Sequence, residues 1–322
     1  MSEHGLTRED PWIRRFLAWA GERFPLANGI LTFVLFTTAL LFSRLVTGTE
    51  GQPISVGPLD VIPFFAYYCF FFMLRVFDEH KDYELDCHNH PERVLQSGLI
   101  TLTDLKILGA LAILTQGLVS AWLDGWTLGT AFAGWLVVII WSSLMAVEFF
   151  IGEWLSKRLL LYAISHMVVM PMGLIWAVSM ASPGATLPPV IYALAGFSFV
   201  SGFTFEISRK IKAPEDERDT IDSYTRIFGT KGAPSVSLSL IFVGAFILCY
   251  IMQLIITDLH FGWYVAALAV PFLVAQPFLK FIKEPNSELP DKIEAASGGA
   301  LLISYVILAV AVGLERGVAW VL

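Results

Sequence analysis

Apolar residues run along this chain in nine long blocks, 29–46, 61–77, 107–123, 126–147, 159–181, 186–205, 235–257, 261–279 and 295–314, divided by polar joints. About 20 helical residues cross the roughly 30 Å of a bilayer's hydrocarbon. Blocks of this length predict nine transmembrane helices in an all-α, polytopic membrane bundle. On one side the joints are short, whereas those after the second and sixth blocks, 78–101 and 206–232, are longer and polar. Binding residues collect on such segments while the helices serve as scaffold.

Composition agrees with lipid as the solvent. Hydrophobic residues make up 56% of the 322 and charged ones 15%, too little polar surface to cover a water-soluble body. Basic residues then set an orientation, because loops carrying Lys and Arg stay cytoplasmic. With the N-terminus inside, all but Arg44 and Arg316 of the 21 basic residues share its face, so both long loops are expected in the cytoplasm and the C-terminus outside. The net charge of −7 adds little, since the acids stand beside lysines and arginines in a few loops. The expected partner is the lipid bilayer and not nucleic acid. Cys69, Cys87 and Cys249 lie too far apart in sequence to suggest a disulfide framework. Residues 1–28, too charged for a cleaved signal sequence, read as a cytoplasmic amphipathic segment ahead of a single transmembrane domain, 29–322. Within it, PWIRRFLAWAGERF predicts a surface helix with Trp12, Phe16, Leu17 and Trp19 towards lipid.

Each long loop begins with acids at a helix end. In RVFDEHKDYELD, Asp78, Asp82 and Asp86 stand four residues apart with Glu79 beside the first. If the helix continues past the membrane surface they share one face, and a row of like charges calls for a counter-cation. All-oxygen carboxylate ligands favour a hard ion, above all Mg2+ held together with phosphate oxygens. The nearby Cys87, His88 and His90 offer softer ligands, but a closed zinc site needs a fourth and no second Cys/His pair stands close in sequence. The second loop, FEISRKIKAPEDERDTIDSY, carries Glu206, then Arg209, Lys210 and Lys212, then Glu215, Asp216, Glu217, Asp219 and Asp222. Carboxylates for a metal and bases for anionic oxygens together suit a diphosphate, because both neutralise charge growing on a leaving group. The dipeptide at 213–214 predicts the end of the sixth helix, leaving the later acids on a loop. Two aromatic runs, FFAYYCFFFMLRVF and WSSLMAVEFFIGEW, lead to the same surface, and their π faces would stabilise a cation. Glu148 and His166 are ionisable groups at membrane depth, where such groups are costly and functional. Either is a candidate to take a proton.

These residues resemble the UbiA superfamily of intramembrane prenyltransferases, over nearly the whole chain. The family's first motif, Asn-Asp-x-x-Asp-x-x-x-Asp, is similar to Asp78, Glu79, Asp82 and Asp86, and its Arg-Pro-Leu-Pro-Ser-Gly to Arg93 through Gly98. Lys157 and Arg158 resemble a basic pair common in the family. The resemblance implies that Asp78, Glu79, Asp82 and Asp86 hold Mg2+ on an isoprenyl diphosphate, with Arg93 and Lys157 at the phosphates. It further implies that an acceptor, aromatic or lipid, captures the allyl cation. There are departures: Asp stands for Asn at Asp78, both prolines after Arg93 are missing, and Lys210 stands where an acid is usual. Glu206, Asp216 and Glu217 are then the candidate ligands of the second region, with Arg209, Lys210 and Lys212 as phosphate contacts. The irregular second region keeps open a UbiA-type terpene cyclase, and the membrane carboxylates a divalent-metal or proton-coupled transporter.

Overall fold

The computed structural model describes residues 5–218 and 222–321. A short helix α1 (Trp12–Arg23) precedes the crossings α2 (Leu26–Thr47), α3 (Val61–Lys81), α5 (Leu102–Leu123) and α6 (Thr130–Ala146), with the short α4 (Tyr83–Asn89) after α3. After the five-residue α7 (Gly152–Ser156), the next crossing is made of α8 (Leu159–Met167) and α9 (Val169–Ala181). Then follow α10 (Val190–Arg209), α11 (Tyr224–Ile255), α12 (Phe261–Lys283) and α13 (Leu289–Arg316). Eight of these crossings are long and apolar enough to span a membrane, and α6, at 17 residues, is a shorter apolar helix among them. Every apolar block read from the sequence overlaps one of the nine.

Chain neighbours are neighbours in space, as short connections dictate. Going round, α3 packs on α5, α5 on α6, α6 on α9, α9 on α10, α10 on α11, α11 on α12 and α12 on α13. The ring closes where α13 meets α2 and α2 meets α3, with α2–α9 and α10–α13 contacts across it. Its core is apolar and aromatic, with Phe42, Tyr67, Phe70, Trp176 and Tyr305 all fully buried or nearly so.

At the end of the bundle away from the acidic loops, Arg44 of α2 donates to both Asp60 oxygens at 2.8 and 2.5 Å and to the Ala181 carbonyl at 3.2 Å. Short strands β1 (Ile54–Val56) and β2 (Val318–Trp320) pair in parallel there. At the acidic end α11 begins early and bends. Gly229 has φ 75°, which only glycine adopts without strain, and Pro234 follows inside the helix. The apolar block starting at 235 is the straight part beyond the bend.

The position of α1 corrects the lipid-facing surface helix. Trp19 is fully buried, edge-on to Phe72 with ring centroids 5.9 Å apart, in a small separate core with Val76, Val94, Leu95 and Leu99. Phe16 stacks between Trp12 and Trp19 at 5.2 and 5.8 Å. Of the four residues expected towards lipid, Leu17 does face outward, beside Ile13, and Trp12 is partly exposed, whereas Phe16 and Trp19 are turned into the protein. Phe16 and Trp19 of α1 are therefore spent on protein packing, and the ion pairs described below fix the helix there.

Candidate active site

The first acidic row sits on a helix that hesitates and resumes. α3 ends at Lys81, Asp82 takes φ −92° and ψ 4°, and α4 restarts at Tyr83. Backbone bonding bridges the break: the Asp82 N–H donates to the Asp78 carbonyl at 2.9 Å and the Asp86 N–H to the Asp82 carbonyl at 2.8 Å. The three aspartates thus keep their four-residue register through the break. Their environments differ. The side chains of Asp78 and Asp82 are 45% and 44% exposed, and their basic neighbours, Arg75 at 3.7 Å and Lys81 at 3.9 Å, stand beyond hydrogen-bond distance. Burial, with the like charges of Asp78 and Asp86, raises the Asp82 carboxyl above its usual range against the pull of Lys81 and Arg75. Asp86 is taken instead by Arg93 at 2.8 Å. Glu79, 1% exposed, is taken by Arg23 of α1 at 2.6 Å.

Sequence reasoning passed over this contribution of α1. Arg23 also stands 3.5 Å from Asp86, and Glu22 stands 3.7 Å from Arg93 and accepts the Val94 N–H at 3.1 Å. Arg15 donates to the Leu99 carbonyl at 2.8 Å. Burial works to lower the Arg23 pKa, but the bond and charge of Glu79, with Asp86 and Glu22, hold it above its ordinary value. Two of the four predicted ligands of the first row and its predicted arginine are thereby fastened to the N-terminal helix. Charges in an arm so near an acidic row were the available signal, but only tertiary contact pairs them.

In the second region α10 ends at Arg209, before the predicted stop at 213–214, because Lys210 already leaves helical geometry. Glu206 is buried and accepts from Arg209 at 2.5 Å and Lys210 at 2.8 Å. The Lys212 N–H donates to Thr225 at 2.9 Å. Glu215 and Asp216 stand exposed on a single turn, Pro214–Asp216. Glu217 faces back into the protein and accepts from Ser223 at 2.6 Å and Arg226 at 3.0 Å. Asp219 lies outside the described residues.

Between the two regions stands a group centred on α8. Lys81 donates to the Tyr162 hydroxyl at 2.7 Å, and Lys210 lies 5.4 Å from the same ring's centroid. His166, one turn deeper, stacks on Tyr162 with centroids 4.0 Å apart and planes 15° apart. Its Nδ1 lies 2.8 Å from the Tyr162 carbonyl. Phe149 meets its edge at 6.1 Å. That contact comes from an unusual turn after α6, in which Glu148, Phe149 and Phe150 adopt φ of 49°, 55° and 60° in succession. Non-glycine residues rarely enter this region, and each costs roughly 1–3 kcal/mol. Glu148 opens this turn, directly before the Phe149 that meets His166, while Lys81 and Lys210 tie Tyr162 to the first and second charged regions. Lys157 and Arg158 are exposed just before α8, with Arg158 lying over Trp154 at 4.1 Å. The structure thus brings together Asp78, Asp82, Glu148, His166, Glu206, Arg209 and Lys210, adds Lys81 and Tyr162, and leaves Asp216 at the rim. A cavity of about 170 Å³ beside the row has Arg75 and Asp78 with Phe24, Leu31, Phe71 and Leu74 in its wall.

Among the described residues no three His, Cys, Asp or Glu side chains converge as a metal cage. Mg2+ seldom uses one; it keeps waters and takes one or two carboxylates plus substrate phosphates. Asp78 and Asp82, half-exposed and not hydrogen-bonded to a base, fit that donor set.

The profile of the UbiA prenyltransferase family matches residues 34–297. No curated protein matches. A solved structure, described as that of digeranylgeranylglyceryl phosphate synthase in membranes, superposes with a TM-score of 0.61 at 16% identity, covering 93% of this chain and 99% of that one. At that identity the likeness concerns the fold.

Proposed function

The chain belongs to the UbiA prenyltransferase family and is an intramembrane prenyltransferase; on that premise we propose that it ionises an isoprenyl diphosphate between the two charged regions and passes the prenyl group to an acceptor deeper in the bundle. The observation that carries this reading is the contrast in pairing. Asp78 and Asp82 are left for a cation, while Lys81 and Lys210 approach one tyrosine from the two different loops.

When bound, Mg2+ supplies a Lewis acid that neutralises charge on the departing diphosphate, with Asp78 and Asp82 as its holders. Lys81, Arg209 and Lys210 supply positive charge at the same surface, with Arg93, Lys157, Arg158 and Lys212 as further contacts on the approach. Glu206 keeps Arg209 and Lys210 in place, since a buried carboxylate between two bases fixes their heads. Glu79 and Asp86 anchor Arg23 and Arg93 in the same way. The rings of Tyr162 and Phe149 stand where a desolvated allyl cation gains about 0.5–2 kcal/mol from each π face. Glu148 and His166 are within reach of that space as proton acceptors. Positive-inside bias supports a cytoplasmic acidic end and N-terminus.

Purified protein incubated with Mg2+ and geranyl, farnesyl or geranylgeranyl diphosphate tests the reading by release of diphosphate. Release with transfer to an added acceptor is the expected result. A cyclic hydrocarbon formed without acceptor would turn the reading to a terpene cyclase, and no release under any condition would remove it.

A further inference from the structure

His166 carries more information than its membrane position. A backbone carbonyl only accepts, so the 2.8 Å contact to the Tyr162 carbonyl puts a proton on Nδ1, and a ring buried with no carboxylate bonded to it is uncharged. Ser165, 3.3 Å from Nδ1, therefore adds at most an acceptor. Nε2 is left with a lone pair. It is buried with no hydrogen-bond partner among the described residues, on a side chain only 9% exposed. An unpaired buried acceptor costs about 1–3 kcal/mol. Nothing in the packing requires it: the ring is already held by its Nδ1 bond, by Tyr162 at 4.0 Å and by Phe149 at 6.1 Å. A hydrogen-bond donor brought in with a ligand would satisfy Nε2.

The diphosphate is not that donor, because its oxygens accept and its place is among the cations one helical turn nearer the surface. A turn of α8 separates Tyr162 from His166, about 6 Å along the axis. The donor belongs to the second substrate.

We infer that the acceptor is a membrane-soluble hydroxyl compound, an alcohol or phenol that is prenylated on oxygen, and that His166 Nε2 binds its O–H and takes the proton. The inference rests on the prenyltransferase reading above. The carbon–oxygen bond of the prenyl diphosphate breaks and the diphosphate leaves with the electron pair. A lone pair of the acceptor oxygen forms the new bond to the allylic carbon. The hydroxyl proton passes to Nε2, giving an ether and an imidazolium, which returns the proton to the departing diphosphate. A cyclising chain presents only C–H bonds to the base and leaves Nε2 unpaired in the substrate complex; whether a phenol is alkylated on oxygen or on a ring carbon is read from the product.

The test uses the full-length protein in lipid nanodiscs with Mg2+, farnesyl or geranylgeranyl diphosphate, and three probes: decanol, a monoalkylglycerol and para-nonylphenol, each beside its methyl ether. O-prenyl ethers are expected from at least one free hydroxyl, and its methyl ether competes at least about tenfold more weakly. In His166→Asn, whose amide N–H replaces the Nδ1 bond without a base at Nε2, the ratio of ether to released diphosphate falls about a hundredfold, the low end for general-base catalysis. His166→Gln, which keeps an acceptor at that position, holds the acceptor KM within a few-fold while kcat falls. C-prenylation of the phenol or its methyl ether, a hydrocarbon product, diphosphate release with no ether from any probe, or an unchanged ratio in His166→Asn overturns the inference and leaves the prenyltransferase reading standing. The methyl-ether comparison uses wild-type protein and does not depend on a variant's folding. Absence of diphosphate release from wild type removes both.

Discussion

The first and second charged regions hold similar sets of acids and bases, yet pair them in opposite ways. Around Asp78 and Asp82 the bases stay at 3.7 and 3.9 Å, and the carboxylates remain half-exposed. Around Glu206 they close to 2.5 and 2.8 Å, and the carboxylate is buried. The first arrangement leaves anionic oxygens seeking a cation; the second leaves two cationic heads steadied for an anion. Counting carboxylates in a motif therefore does not identify ligands. How each is paired decides whether it binds a metal or props up a base.

That contrast breaks most sharply in the first region. Asp78→Ala and Asp82→Ala should each lower diphosphate release about a thousandfold, the several kcal/mol of a lost metal clamp, with the protein still folded. Near-wild-type rates in both would remove the metal assignment. Glu206→Gln should do the opposite and act on stability. It strips the partner from two cationic heads, and because Arg209 is 46% exposed the cost should be about 3 kcal/mol, the low end for a broken buried pair. Thermal unfolding in detergent checks it; an unchanged Tm with lost activity would make Glu206 a ligand.

The sequence carried the fold well, since nine apolar blocks and a bias of basic residues are long-range averages that single residues do not upset. It carried the acidic row too, because a four-residue step is a helical face even through the break at Asp82. It did not carry pairing. Whether Glu79 faces solvent or Arg23 depends on α1 folding back across dozens of residues, and that docking also reassigns Trp19 from lipid to core. Tyr162 escaped notice for the same reason: nothing local to it names Lys81 or Lys210 as partners.

A smaller effect sharpens the role of α1. Arg23→Ala should lower prenyl transfer about tenfold and lower Tm, by leaving Glu79, among the described residues, with Arg75 at 3.9 Å; Arg23→Lys should recover part of both. Full activity of the alanine variant would reduce α1 to an anchor. The smallest effect is a pH dependence. The raised Asp82 pKa means that its charge opposes folding at neutral pH, a penalty relieved as pH falls through the folded-state value. Asp82→Asn should therefore melt slightly higher than wild type near neutrality, and the gap should close towards the ordinary carboxylate pKa. A gap that widens on acidification would contradict the local field described for Asp82.

The left-handed run from Glu148 to Phe150 has a consequence for how mutations would be scored. Phe150 is 81% exposed and contributes little packing, so glycine there would relieve local strain at little loss of contact. A library screened for yield should enrich glycine at this position. A library screened for product should not, because the same relaxation unmoors Phe149 from His166. Disagreement between the two screens would mark a turn kept for what it holds in place and not for its own comfort.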